Sequence, residues 1–336
     1  MHLPAPTYTF SIPSVHDGLR LDCRIYLPPD LLQTGRASIR GAVVAHPYAP
    51  LGGCYDDPVV GFVGGELLRA GCVVGTLNFR GAGGSKGRTS WTARPELADY
   101  VSFYGFMLLY LYFARARLTA QGGSHVSGSS TDVDDAAGKI RIILAGYSYG
   151  SMIASHLPGL DAIVDLVRAS TRETPIHEIY QIAEKLSLCL ADDPTTPPRP
   201  SPAYRPATAD EMRQAADKIG RATISYLLVS PLLPPVNLFL TFFSRLSLDA
   251  GAQTGRPIPC PQPADQLRAH ETLAIFGDQD MFTAASKLEA WSDELAQAPG
   301  SRFQGAEIEG AGHFWREDGV ESRAREAIRN WLGQMS

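Results

Sequence analysis

Short apolar runs alternate with longer stretches of helical spacing along most of the chain. Residues 7–12 and 19–27 alternate polar and apolar side chains and meet at Asp17-Gly18, a hairpin signal. Buried-type strands are predicted at Ile39–Ala45, Cys72–Phe79, Ile140–Ala145, Ala222–Leu228, Glu271–Phe276 and Phe303–Ile308. Helical spacing falls between them, over Val60–Ala70, Pro95–Leu118, Tyr149–Leu157, Leu238–Leu246, Ala284–Gln297 and Gly319–Leu332. Strands that are apolar on both faces and alternate with helices imply a mostly parallel, doubly wound α/β sheet. The front hairpin adds an antiparallel edge.

The alternation stops between Pro158 and Ile219. Two helical patterns occur there, near Pro175–Leu190 and Ala209–Lys218, separated by the Pro-rich stretch Asp192–Pro206. A run so dense in proline can be neither helix nor central strand. Residues 1–157 and 220–336 therefore read as one core, with 158–219 as a helical lid insertion tethered through 192–206. Ile176, Ile179, Ile182 and Leu186 could rest one face of its first helix on an apolar acyl pocket. Residues 121–138 read as a polar loop.

Two apolar stretches invite a membrane reading. Tyr100–Ala114 is 15 residues long, below the roughly 20 that a span needs. Ala222–Phe243 is interrupted by Pro231, Pro234, Pro235 and Asn237. No span is expected, and the aromatic stretch reads as a helix covering the sheet, with a dimer face or a membrane-surface patch as the sharper alternative. A homodimer thus stays open. The first ten residues show no secretory signal, so a cytoplasmic protein is expected. A net charge of −5 and a pI near 5.9 disfavour nucleic acid as the main partner. The five cysteines form no CxxC, so neither a zinc site nor a disulfide framework is expected.

In open α/β sheets the chemistry gathers where strands end. The pattern G-x-S-x-G occurs twice, as Gly146-Tyr147-Ser148-Tyr149-Gly150 and as Gly83-Gly84-Ser85-Lys86-Gly87. A nucleophile elbow needs a strand running straight into a sharp turn and then a helix. Ser148 has that context and Ser85 does not, so Ser148 is the candidate nucleophile. A serine needs a base, and the base needs an orienting acid. His313 follows the last strand in a loop of small residues and is the candidate base. Gly277-Asp278-Gln279-Asp280 follows the preceding strand. Asp280 is preferred as the acid and Asp278 as a turn-stabilising residue, with the choice between them left open. Ser, then Asp, then His is the order of the α/β-hydrolases.

An oxyanion needs backbone N–H donors. Tyr149, after the nucleophile, should provide one. Tyr48 in His46-Pro47-Tyr48 should provide the other, because Pro47 has no N–H. His46 is expected to support that loop, and so is Arg80. The loop Gly81–Gly87 fails both phosphate-cradle patterns.

Taken together, His46-Pro47 with Gly52-Gly53, residues Leu77–Gly87 (LNFRGAGGSKG), the Ser148 motif, Gly277-x-x-Asp280 and Gly310-Ala311-Gly312-His313 resemble the α/β-hydrolase superfamily. The nearest likeness is to a branch with an N-F-R-G-x-G-x-S-x-G loop, which makes the second G-x-S-x-G a structural signature. The resemblance implies an α/β-hydrolase fold with an inserted lid. It also implies a serine hydrolase acting on a small-molecule carboxylic ester or related acyl bond, with no cofactor and no metal. A biosynthetic tailoring enzyme, using the same triad for cyclisation or acyl transfer, is the alternative. A non-catalytic binding protein is the third reading.

Overall fold

The computed structural model describes residues 1–31, 39–122, 139–190, 206–251 and 255–335. The chain opens with strands β1 (Tyr8–Pro13) and β2 (Arg20–Tyr26), an antiparallel hairpin pairing Pro13 with Arg20 across Asp17-Gly18. Strand β3 (Arg40–Ala45), helix α1 (Pro58–Arg69), strand β4 (Val73–Leu77), helix α2 (Arg94–Gly122) and strand β5 (Arg141–Tyr147) follow. Next come α3 (Tyr149–Ser155), α4 (Leu160–Arg168), α5 (Pro175–Leu188), α6 (Ala209–Ile219), strand β6 (Thr223–Val229) and the short α7 (Val236–Leu240). A two-stranded ribbon, β7 (Ser247–Leu248) and β8 (Ile258–Pro259), leads to α8 (Pro263–Ala269) and β9 (Glu271–Gln279). The chain finishes with α9 (Ala285–Ala296), β10 (Phe303–Gly312) and α10 (Val320–Gln334).

The eight-stranded sheet has the order β1-β2-β4-β3-β5-β6-β9-β10. From β4 to β10 every neighbouring pair is parallel, while β1 and β2 run antiparallel. Alternate residues of a strand face opposite sides, and the core divides accordingly. Ala42, Val44, Val74 and Ile275 pack on one face with α1 and α10. Val43, Ala45, Val73 and Leu144 pack on the other, mainly beneath α2.

Helix α2 is apolar all round because both of its sides are covered. One side lies on the sheet. The other meets the insertion helices, with Phe113 edge-on to Tyr180 at 5.0 Å between ring centroids. Ile176, Ile179 and Ala183 belong to the same buried cluster. Arg94–Thr119 is long and apolar enough to cross a membrane by length and composition, but 89% of its most apolar window is buried, the mark of a core helix. The apolar faces of α5 and α6 are thus occupied by packing beside α2. The tether expected at 192–206 lies outside the described residues except for Pro206, as does nearly all of the loop expected at 121–138.

Three details depart from the sequence reading. The helix expected over Leu238–Leu246 is only α7. The backbone turns left-handed at Phe242 (φ 49°) and Phe243 (φ 57°), which ends any helix. Helix α4, unanticipated, buries Ile163, Val164, Leu166 and Val167 on one face. Helix α8 and the ribbon were also unforeseen, because seven residues and two-residue strands are too short to show a period.

Candidate active site

Ser148 links β5 directly to α3 with φ 55° and ψ −114°, a strained setting for a residue with a side chain. The turn is this sharp because the glycines on either side allow it. A Cβ on Gly146 would lie 2.2 Å from the Gly150 carbonyl carbon, and one on Gly150 would lie 2.5 Å from the Ala45 carbonyl oxygen. The Ser148 N–H donates to Val229 O at 2.8 Å, tying the elbow to the end of β6.

His313 lies at the end of β10, 3% exposed. Its Nε2 is 2.8 Å from Ser148 Oγ, and its Nδ1 is 2.6 Å from Asp280 Oδ2. Asp280 Oδ1 accepts the N–H groups of Phe282 (2.8 Å) and Thr283 (3.1 Å). Burial pushes the Asp280 carboxyl up, but the hydrogen bond and charge of His313, with those two N–H donors, hold it below the usual carboxylate range. Asp280 therefore stays ionised beside the imidazole. Asp278 acts elsewhere. Its Oδ1 accepts Gly310 N–H at 2.6 Å, inside the register shift of β10 that falls between Ile308 and Gly312. The bulge re-aims the strand end, so Asp278 shapes the backbone that carries His313.

Nothing in the sequence pointed to how the His313 loop is held. Tyr147 Oη donates to His313 O at 2.8 Å, and its ring lies 5.7 Å from the imidazole. Trp315 Nε1 donates to Ser230 Oγ at 3.0 Å. Tyr147→Phe keeps the ring and leaves the His313 carbonyl without its donor. We expect kcat on a chromogenic acetate ester to fall by about tenfold with KM nearly unchanged, and stability to fall by about 1–3 kcal/mol. An equal fall in KM, or a lost fold, would show that Tyr147 only packs.

At the other wall, the N–H groups of Tyr48 and Tyr149 donate to no carbonyl among the described residues. Their rings meet at 5.1 Å. His46 is fully buried, with both nitrogens engaged by backbone. Nε2 accepts Phe79 N–H at 2.9 Å, and Nδ1 donates to Pro47 O at 2.6 Å. It bridges the ends of β3 and β4 and has no nitrogen left for a substrate. Burial pushes its pKa down to about 4, against the raising effect of the Pro47 carbonyl. An unfolded imidazole takes its proton near pH 6.5, so the unfolded state holds more protons between those values. This contribution to stability is full above about pH 6.5 and lost as pH falls towards 4, up to roughly 3 kcal/mol. The urea midpoint should therefore drop between pH 7 and pH 4.5, and His46→Gln should flatten the slope. An unchanged slope in that variant would assign the acid sensitivity to other groups.

Arg80 binds Asp99 through Nε (2.9 Å) and Nη2 (2.7 Å), and Asp17 through Nη1 (3.0 Å). It pins the loop after β4 to α2 and to the front hairpin. Ser85 is buried in the same loop. Its Oγ donates to Asn78 O (2.7 Å) and accepts Asp22 N–H (2.8 Å), so the second G-x-S-x-G braces the loop. Among the described residues, no group of three or more His, Cys, Asp or Glu side chains could hold a metal ion.

A parallel run extended on one side by the antiparallel pairs β2–β4 and β1–β2, with a strained serine between the fifth strand and its helix, is a specific topology. The chain has the α/β-hydrolase fold. No family profile and no curated protein matches it. Among solved structures, a thermophilic esterase from Thermogutta terrifontis with bound propionate aligns at 17% identity over 99% of this chain and 96% of its own, with a TM-score of 0.50. An α/β serine hydrolase homologue from Coxiella burnetii aligns at 16% identity over 97% and 98%, with a TM-score of 0.47. An α/β serine hydrolase without lid from Xanthomonas campestris aligns at 15% over 100% and 97%, at 0.49.

Proposed function

We propose that this α/β-hydrolase-fold protein is a serine hydrolase that opens a carboxylic ester or related acyl bond through an acyl-enzyme on Ser148. The observation that carries this reading is the hydrogen-bonded chain from Ser148 Oγ through His313 to Asp280, at 2.8 and 2.6 Å. His313 Nε2 takes the hydroxyl proton as Ser148 Oγ adds to the acyl carbon. Ionised Asp280 accepts Nδ1–H, fixing the tautomer and stabilising the imidazolium. The carbonyl oxygen becomes an oxyanion that the N–H groups of Tyr48 and Tyr149 would bind. The imidazolium returns the proton to the leaving oxygen, and the ester bond breaks. Water then attacks the acyl-enzyme with His313 again as base, releasing a carboxylic acid and free Ser148.

Strain at Ser148 supports this role, since a tight turn alone would be met at lower cost by glycine. The test is a burst experiment with a chromogenic acetate ester. One equivalent of alcohol should be released before the slower steady state, with a matching acetyl mass on the peptide containing Ser148. Turnover with no serine-bound acyl group, even after acid quenching, would reject the acyl-enzyme.

A further inference from the structure

We propose that the loops after β4 and β6 form a docking surface for an anionic phospholipid membrane. Large exposed apolar side chains are concentrated here. Trp91 is 82% exposed, Phe239 64%, Phe242 67% and Phe243 65%. Single exposed apolar residues are ordinary, but a cluster is a sign of an interaction surface. Phe239 and Phe243 stack edge to face at 5.4 Å. Phe242 and Phe243 are consecutive left-handed residues, a costly backbone for bulky side chains, and their rings gain no burial in return. The two loops form one patch, because Arg94 Nη2 donates to Arg245 O at 3.3 Å. Residues 230–248 leave β6 just after Val229, whose carbonyl receives the Ser148 N–H.

Charge selects the occupant. The chain as a whole carries −5. Segments 81–95 and 230–248 instead hold Lys86, Arg88, Arg94 and Arg245, and the acids that adjoin them are engaged, Glu96 with Ser90 and Asp249 with His16. A second copy docked through the same patch would set these cations against each other. A surface of anionic headgroups pairs with them and admits Trp and Phe into the boundary between headgroups and acyl chains. The surface is defined by these two loops and does not depend on the role of Ser148.

The test is flotation of the full chain with vesicles of mixed phosphatidylglycerol and phosphatidylcholine, and with pure phosphatidylcholine. The wild type should float with the anionic vesicles and lose binding in high salt. The double variant Phe242→Ser/Phe243→Ser should lower partition by at least about tenfold. Lys86→Ser and Arg88→Ser should each lower it by about fivefold on anionic vesicles only. Trp91 emission should shift to the blue and be quenched by brominated acyl chains, a signal that Trp91→Phe removes. Absence of wild-type flotation on anionic vesicles would overturn the proposal, as would equal flotation of the double phenylalanine variant. A concentration-dependent dimer abolished by that variant would instead assign the patch to a second copy. Fluorophosphonate labelling of Ser148 in vesicle-free buffer, read on the same samples, should equal wild type in every docking variant. Failure of docking and failure of the hydrolase reading are therefore separable.

Discussion

Ser148→Ala should abolish fluorophosphonate labelling and lower ester turnover by about 10⁴- to 10⁶-fold, while Ser85→Ala keeps the labelling. Both serines sit in G-x-S-x-G, and their hydroxyls are engaged differently. Ser148 Oγ lies 2.8 Å from an imidazole nitrogen that can take its proton. Ser85 Oγ donates to the Asn78 carbonyl and accepts from Asp22, so no base is within its hydrogen bonds. The cost of Ser85→Ala should be structural. It leaves a buried carbonyl and a buried N–H unpaired, worth about 1–3 kcal/mol of stability. Intact-mass and peptide mapping after labelling decide the matter. Phosphonate on Ser85 with Ser148 unmodified would overturn the assignment.

Asp280→Asn should lower turnover by about 10⁴-fold without unfolding the protein. The amide can present an N–H where His313 Nδ1 now finds an acceptor, so the imidazole loses the tautomer that leaves Nε2 free to accept the serine proton. The Phe282 and Thr283 N–H groups can still bond the remaining amide oxygen, which keeps the turn in place. Asp278→Asn should cost less than about tenfold, since an amide oxygen can still accept the Gly310 N–H and hold the bulge. Rates at matched thermal stability separate the two positions. A more damaging Asp278→Asn would move the acid by two residues. Because folding lowers the Asp280 pKa, its contribution to stability is present above the unfolded carboxylate range and is lost as pH falls below it.

Much of this candidate site is legible in the sequence, for local reasons. A strand that runs into a glycine-flanked serine and then a helix can be read within ten residues, and so can the loop Gly310–His313. The positions that hold the site were not legible. Tyr147 occupies the variable place of its motif, and nothing local says that its hydroxyl reaches the carbonyl of His313, 166 residues away. Ser230 sits after a strand with no motif at all, yet it receives the Trp315 indole. Such contacts join distant segments, and sequence spacing carries no information about them.

The sequence by itself determined the parallel sheet, because strands apolar on both faces can only be buried under helices on both sides. It also determined which strand ends carry Ser148, Asp280 and His313. The tertiary structure decided between Asp278 and Asp280 as the partner of His313. Asp278 lies within β9 and Asp280 just past its end, so Asp280 meets the imidazole while Asp278 takes the Gly310 N–H inside the register shift of β10. It also decided the fate of the two apolar stretches that could be mistaken for membrane spans. Residues 100–111 are buried because helices from the insertion cover the side of α2 that the sheet leaves open. Phe242 and Phe243 lie outward where the backbone turns left-handed, and Phe239 is exposed on the short helix before them. Hydrophobicity is a property of each residue, but whether it meets core or solvent depends on what other segments fold against it.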